Sequence, residues 1–208
     1  MRRRGLLQAS GVGALAGLTT MAAAPAAAGS PPAQHPRSSW RMARELIADG
    51  PDPELGDVLQ LYGQFVGSWD VTVTEHFPSQ TYPAEWHFGW ILHGRGVQDV
   101  FGQPSLNDHG TTIRIYDHTT GRWVVSWFGP SGAAGAAEPS IRHFQAEQVG
   151  DEVVQSGAEF EGSPMRWIFS DIGDRHFHWR NEIFFDDAPD WIVVQEMDAT
   201  RRWPLPRP

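Results

Sequence analysis

Two stretches of the chain decide its fold: Trp86-His87-Phe88-Gly89-Trp90 and Trp123-Val124-Val125-Ser126-Trp127. In each of them a large apolar side chain occupies every second position. Successive side chains of a β-strand point to opposite faces, so this spacing predicts two strands that each present an apolar, mostly aromatic face. A long antiparallel sheet must bury such a face, and closing the sheet into a barrel is the simplest way to do so.

Turn signals continue roughly every eight to twelve residues from Gly67 onward, which is typical of an all-β domain. The connections, such as Gly150-Asp151, are too short to contain helices, so neighbouring strands are expected to pair antiparallel. The predicted strands are approximately 67–76, 84–92, 95–103, 111–117, 122–128, 140–148, 152–160, 165–171, 175–183 and 190–200. The sequence therefore predicts an all-β, antiparallel up-and-down barrel of about 8–10 strands.

A short helical segment is predicted to precede the barrel. Ser38-Ser39 is expected to cap a helix over 40–49, and Asp52-Pro53 is expected to start a second helix. The apolar stripe of the second helix is predicted to close one end of the barrel, and it consists of Leu55, Val58, Leu59 and Tyr62. The predicted organisation is an export signal at 1–28, a disordered linker at 29–37, a helical cap at 38–66 and a barrel at 67–203.

The N-terminal residues have the pattern of an export signal. Arg2-Arg3-Arg4 precedes an apolar run rich in alanine and glycine, which falls short of the ~20 residues of a membrane span. The Arg3-Arg4 pair before a weakly hydrophobic core resembles a twin-arginine signal, with an ordinary secretory signal as the alternative. Cleavage is expected after Ala28 or, as the second choice, after Ala24. The protein is therefore expected to be secreted or otherwise extracytoplasmic.

Composition excludes several kinds of chemistry. The 208 residues include no cysteine, which rules out disulfides, thiolate nucleophiles and cysteine-bound metals. Removing the three signal arginines leaves 13 arginines against 25 acidic residues, a formal charge of −12, so nucleic-acid binding is not expected. The chain also contains no lysine, no nucleotide-binding glycine motif and no Gly-x-Ser-x-Gly elbow, which disfavours Schiff-base, nucleotide-dependent and serine-hydrolase chemistry.

Gly67-Ser68-Trp69 on the first strand and Arg201-Arg202 on the last resemble the Gly-x-Trp start and closing basic residue of lipocalins and related calycin barrels. The resemblance implies that Trp69 plugs one barrel end and that Arg201 or Arg202 stacks across it. The chain is more closely similar to bacterial, often secreted, lipocalin-like domains of unknown function. That similarity is carried by 65–71, 89–95, 98–100, 115–117 with Gly121 and Trp127, 169–172 and 177–180. This similarity implies a barrel fold, and it does not imply any activity.

The tryptophans are predicted to divide between core packing and a cavity wall. Trp69, Trp167 and Trp191 are assigned to the core. The cavity wall is expected to consist of Trp86, Trp90, Trp127 and Trp179. A barrel filled entirely by its own side chains, with no room for a ligand, is the alternative.

Asp99 shares a strand face with apolar residues and is predicted to point inward. A buried acid needs a partner, so Asp99 is expected to pair with Arg114 or Arg166. Tyr116 shares a face with Arg114, and in an enzyme Asp99 and Tyr116 would be the acid–base pair. The alternative is a salt bridge that only fixes the strand register.

His176 and His178 lie on one strand face with Arg180 and Glu182, where two histidines could reach one metal ion. If Phe177, Trp179 and Ile183 on the opposite face point inward, these histidines face solvent. Haem bound through one histidine is a related alternative, and its candidate ligands are His87, His93 and His143. No cofactor and no metal site are predicted, and both alternatives stay open.

The sequence predicts an exported protein, monomeric or homodimeric, that binds a mostly apolar small molecule in a tryptophan-lined barrel cavity. Besides the cavity wall, the predicted ligand-binding residues are Asp99, Arg114, Tyr116 and Arg166. The loop 129–139 is interpreted either as a flap over the cavity or as a plain solvated loop. The alternative function is a barrel enzyme, a cyclase, isomerase or hydrolase, that encloses an apolar substrate.

Overall fold

The computed structural model describes residues 36–103, 108–130, 139–159 and 162–202, and in these residues it contains ten β-strands and two short α-helices. The helices are α1 (Pro36–Leu46) and α2 (Gln60–Gly63). The strands are β1 (Gly67–His76), β2 (Ser79–Ile91), β3 (Gly96–Gln103), β4 (Asp108–Asp117), β5 (Arg122–Gly129), β6 (Ser140–Val149), β7 (Glu152–Ala158), β8 (Pro164–Ser170), β9 (His176–Ile183) and β10 (Ile192–Arg201).

The strands form a closed antiparallel barrel in which each strand pairs with its neighbours along the chain and β1 pairs with β10. This confirms the predicted up-and-down barrel, and the fold is lipocalin-like. The largest error in a predicted boundary is at β2, which begins at Ser79 rather than at 84. Ser79, Gln80 and Thr81 extend the hairpin with β1, but they lack the large apolar side chains from which the strands were predicted.

The predicted helix boundaries were wrong in both cases. Helix α1 begins at Pro36, so the two residues 36–37 are helical rather than linker, and Ser38-Ser39 lies within the first turn of the helix rather than before it. The remainder of the predicted linker, 29–35, lies outside the described residues. Where a second helix was expected from Pro53, the chain makes a turn, then a short 3-10 segment at Gly56–Leu59, and only then α2.

Gly56 and Asp52 explain why the second helix starts late. Gly56 has a φ of 62°, a left-handed conformation that interrupts a right-handed helix. The carboxylate of Asp52 accepts hydrogen bonds from the backbone N–H of Glu54 at 2.9 Å and from Nε of Arg95 at 2.6 Å. Asp52 therefore ties this segment to the turn between β2 and β3 instead of capping a helix.

The segment around α2 plugs the end of the barrel at which β1 begins, hereafter the capped end. Leu59, Tyr62 and Phe65 are buried in the same hydrophobic core as the inward-facing strand residues. The ring of Phe65 lies 4.7 Å from that of Phe169, and the ring of Tyr62 meets Trp123 edge to face at 4.9 Å. The expected role of the apolar stripe in closing one barrel end is thus confirmed for Leu59 and Tyr62, whereas Val58 is exposed.

Trp69 and Arg201 close the barrel at the capped end. The register places them opposite each other on β1 and β10, and the guanidinium carbon lies 4.0 Å from the centroid of the indole ring. Arg201 also donates hydrogen bonds to the backbone carbonyls of Gln64, Val66 and Asp174, at 2.7, 2.7 and 2.6 Å. The implied cation–π contact is confirmed, and the partner of Trp69 is Arg201 rather than Arg202.

Replacing Arg201 by alanine should lower the free energy of unfolding by about 2–4 kcal/mol, because the change removes three charge-assisted hydrogen bonds and a cation–π contact. Urea denaturation followed by circular dichroism measures this loss. Arg202→Ala is the matched control: the guanidinium of Arg202 binds Asp70 and Glu85 on the outer surface, so its loss should cost less than about 1 kcal/mol. Equal losses for the two variants would contradict a closing role for Arg201.

Candidate ligand-binding site in the barrel interior

An ion pair is buried in the capped half of the interior. Asp99 and Arg114 are both 0% exposed, and Nη1 of Arg114 donates to Oδ2 of Asp99 at 2.5 Å. The other carboxylate oxygen accepts the backbone N–H of Thr112 at 3.1 Å. Asp99 lies opposite Thr112 on the neighbouring strand, so Arg114, two residues further along β4, points to the same face. The predicted pairing of Asp99 with Arg114 is confirmed.

Aromatic rings surround this ion pair. The guanidinium carbon of Arg114 lies 5.0 Å from the ring centroid of Tyr62, 5.4 Å from that of Phe88 and 5.9 Å from that of Phe169. Burial raises the pKa of the Tyr62 hydroxyl far above its usual value, so Tyr62 stays protonated. Sequence reasoning placed Tyr62 only in a helical stripe and missed this contact, because it depends on the helical segment entering the barrel.

The structure does not bring Asp99 and Tyr116 together as an acid–base pair. The ring of Tyr116 lies beside Trp123, with centroids 5.6 Å apart. Tyr116 is four residues beyond Thr112, the strand partner of Asp99, which corresponds to about 13 Å along the strand. Because Arg114 and Thr112 already occupy the carboxylate oxygens of Asp99, this ion pair is best understood as part of the core.

Four tryptophans form a chain of ring contacts further along the interior. The centroid distances are 6.1 Å from Trp86 to Trp179, 5.5 Å from Trp179 to Trp167 and 5.9 Å from Trp167 to Trp127. We call Trp86, Trp127, Trp167 and Trp179 the indole cluster. Three of them were predicted to line a cavity, whereas Trp167 was assigned to core packing.

Trp90, the fourth tryptophan predicted for the cavity wall, lies at the capped end instead. Its ring packs so closely on α2 that a Cβ added to Gly63 would lie 2.6 Å from Cζ2 of the indole. Trp90 therefore packs against the cap. Trp167, rather than Trp90, belongs to the indole cluster.

Gly110 allows Trp127 to lie flat against the wall of the barrel. A Cβ added at Gly110 would lie 1.9 Å from Cη2 of Trp127, so no larger residue fits without moving the indole. The position of one member of the indole cluster thus depends on a residue on the neighbouring strand that has no side chain.

Seven buried polar atoms near the indole cluster have no hydrogen-bond partner among the described residues. They are Nε1 of Trp86, Trp167 and Trp179, both amide atoms of Gln155, Oδ1 of Asn181 and Oε1 of Gln103. The register places Gln155 and Asn181 on either side of Trp167, in one inward-facing row across β7, β8 and β9. A buried polar group left unpaired costs about 1–3 kcal/mol, so these atoms indicate a place for bound water or a ligand.

The polar row continues across β10 and β1, where its members are paired. Gln195 lies opposite Asn181, and its Nε2 donates to Oε1 of Glu75 at 2.5 Å. The hydroxyl of Tyr82 donates to the same carboxylate oxygen at 2.7 Å, and burial, together with Glu75, raises the pKa of Tyr82. Within this row, the unpaired atoms are therefore those of Gln155, Trp167 and Asn181. In the capped half, the hydroxyl of Tyr62 and Nε of Arg114 are also buried without a hydrogen-bond partner among the described residues.

Arg166 and Trp191 lie on the outside of the barrel, which corrects two predictions. Arg166 was expected to line the cavity, but its Nε binds Glu182 and its guanidinium carbon lies 4.1 Å from the ring centroid of Trp191. Trp191, assigned to the core, stacks on Arg166 and on Phe184. Arg166 follows the alternation of β8, in which the neighbouring Trp167 points inward, and Trp191 precedes β10.

The histidines also lie outside the interior. Phe177 and Trp179 are buried, so His176 and His178 point outward, where they approach Asp198 on β10. The part of the chain that the structure describes contains no group of three or more histidine and acidic side chains placed to hold a metal ion. The candidate haem ligands are on outer positions or in a turn: His87 binds Ser68, His143 binds Ser126, and His93 is exposed.

No protein-family model and no curated protein sequence matches this chain. The likeness to lipocalins therefore depends on the closed barrel and on the Trp69–Arg201 contact described above. Among the described residues, no helix is long and apolar enough to cross a membrane. The predicted flap lies mostly outside the described residues, which omit 131–138.

Asp99→Asn and Arg114→Met should each lower the free energy of unfolding by about 3–5 kcal/mol, because each leaves the other buried group without its charged partner. The double variant should cost at least about 1 kcal/mol less than the sum of the two, since the residues are in direct contact. Urea denaturation of all four proteins measures this coupling. Strictly additive losses would show that the two groups do not stabilise each other.

Proposed function

We propose that the protein is an exported binding protein that holds a small, mostly apolar molecule among the tryptophans of its barrel interior. The observation that carries this proposal is the set of unpaired polar atoms around the indole cluster. A region that served only for packing would be expected to pair its buried polar groups or to lack them.

The lining around these atoms has the composition of a small-molecule site. The indole cluster adjoins further large apolar side chains, such as Phe101 beside Trp86 and Phe144 beside Trp167. Binding sites for small molecules are typically apolar and aromatic, with a few polar groups that orient the ligand. Trp86, Trp179 and Gln155 supply such groups here.

The two ends of the barrel support access from one direction. Tyr62, Phe65 and Trp69 fill the capped end. Strands β3, β5 and β9 end at the opposite end, and Gln103, Trp127 and Asn181 lie close to these strand ends. Access for a ligand is therefore proposed from the end opposite the cap.

Binding is favoured over catalysis for this interior. The acid–base pair on which the alternative enzyme depends is not assembled, since Asp99 is bound by Arg114 and lies far from Tyr116. A site that orients a ligand through neutral indole and amide groups needs no such pair.

Export is the second part of the proposal, and it is supported by the sequence of 1–28. The twin-arginine route is tested with Arg3→Lys/Arg4→Lys, which should leave unprocessed precursor inside the cell, while Arg2→Lys should be exported normally. Normal export of the double variant would indicate the ordinary secretory route instead.

Titration of the mature protein with N-phenyl-1-naphthylamine should give a saturable rise in probe fluorescence at one site per chain, with a Kd of roughly 0.1–10 µM. The reason is that this uncharged fluorophore emits strongly only when it is transferred from water to apolar surroundings. Protein unfolded in urea is the control and should give no rise. A folded protein that gives no rise would have a filled interior, and the proposed function would then be wrong.

A further inference from the structure

Four of the seven unpaired atoms around the indole cluster are nitrogen donors, and the other three are amide oxygens that can accept from water or from a ligand. Trp86, Trp167 and Trp179 each present an indole N–H without a described partner, and the amide of Gln155 adds further N–H groups. An indole N–H can only donate, and unlike an asparagine or glutamine amide it has no second orientation in which it accepts. A ligand that satisfies these groups must therefore bring acceptor atoms.

Trp69 shows what the chain does when an indole is purely structural. Its Nε1 donates to the backbone carbonyl of Phe65 at 2.8 Å, in a fully buried setting. The same fold thus pairs an indole N–H inside the cap and leaves three unpaired around the proposed site. This contrast supports a role for the unpaired groups outside packing.

The charges near the site favour a neutral ligand. Arg114 is paired with Asp99, and Arg142 donates to both carboxylate oxygens of Glu159, at 2.8 and 3.1 Å. Glu75 lies on the same polar row and keeps its own partners, Tyr82 and Gln195. A carboxylate ligand would lose its hydration beside arginines that are already neutralised, which is costly, whereas a carbonyl group needs only the dipoles of N–H donors.

The ring arrangement favours a flat ligand. Within the indole cluster the neighbouring ring planes are inclined at 64° to 85°, so the cluster offers both faces and edges to an inserted ring. Aromatic rings prefer such offset and edge-to-face contacts.

We propose that the ligand is a neutral, flat, ring-containing molecule with carbonyl oxygens, of the quinone or aromatic-ketone class, whose oxygens accept hydrogen bonds from Trp86, Trp167, Trp179 and Gln155. The inference rests on the proposed function and specifies its ligand. In this proposal the aromatic rings provide most of the binding affinity, and the indole N–H groups select carbonyl-containing ligands among flat apolar molecules.

A matched pair of probes tests the carbonyl requirement. Menadione and 2-methylnaphthalene share one ring skeleton, and only menadione carries two carbonyl oxygens. Calorimetric titration of the mature protein should show menadione binding roughly tenfold or more tightly, because a site built around hydrogen-bond donors rejects the analogue that lacks acceptors. The chain has neither cysteine nor lysine, so menadione has no thiol or ε-amine with which to form adducts. The anion 2-naphthoate should bind more weakly than menadione.

Variants assign the selectivity to particular N–H groups. Trp167→Phe and Trp179→Phe keep an aromatic ring and remove one donor each, so each should weaken menadione binding by about threefold to tenfold and change 2-methylnaphthalene binding less than about twofold. Trp69→Phe is the matched control, because its N–H is bound to Phe65, and it should leave the ratio of the two affinities unchanged.

The outcomes separate this inference from the proposed function. Equal binding of menadione and 2-methylnaphthalene, tighter binding of 2-naphthoate, or binding of N-phenyl-1-naphthylamine without menadione would overturn the carbonyl ligand and leave a binding protein. If none of these compounds binds folded protein, the proposed function itself fails.

Discussion

Burial of polar groups in an apolar barrel is the constraint on which the structure depends, and the two halves of the interior meet it differently. At the capped end most buried polar groups bind one another: Arg114 binds Asp99, Trp69 binds the carbonyl of Phe65, and Arg201 binds three carbonyls, while the hydroxyl of Tyr62 and Nε of Arg114 have no described hydrogen-bond partner. Around the indole cluster, comparable groups are buried and left unpaired. The first half therefore contributes stability, and the second is the region that we propose for binding.

The same division explains the distribution of charge and small residues. Asp99 is paired with Arg114 and Glu159 with Arg142, while Glu75 is bound by the neutral side chains of Tyr82 and Gln195. The unpaired groups around Trp167 are neutral donors and acceptors. Gly110 shapes this region too, since it lets Trp127 lie against the wall. A lining of rings and neutral dipoles suits the recognition of an uncharged molecule, and polar groups then orient it.

The strands, their order and the inward position of Asp99 could be predicted from the sequence, because a period of two along a strand is a local signal. The resemblance to lipocalins correctly implied the contact of Trp69 with a closing arginine. The sequence could not show that Trp90 packs on the cap while Trp167 joins the indole cluster, because these positions depend on where α2 enters the barrel. The sequence also could not show that the amide of Gln155 is unpaired, because its neighbours are set by the register of the strands in the closed sheet.

The most direct measurement is the nuclear magnetic resonance spectrum of the indole N–H groups of the ¹⁵N-labelled protein, recorded with and without menadione. Single tryptophan-to-phenylalanine variants assign the signals. Hydrogen bonding to a ligand oxygen should shift the signals of Trp86, Trp167 and Trp179, while the signal of Trp69 stays in place because its N–H already binds Phe65. Unchanged signals for those three tryptophans under conditions in which menadione binds would contradict their role as ligand donors.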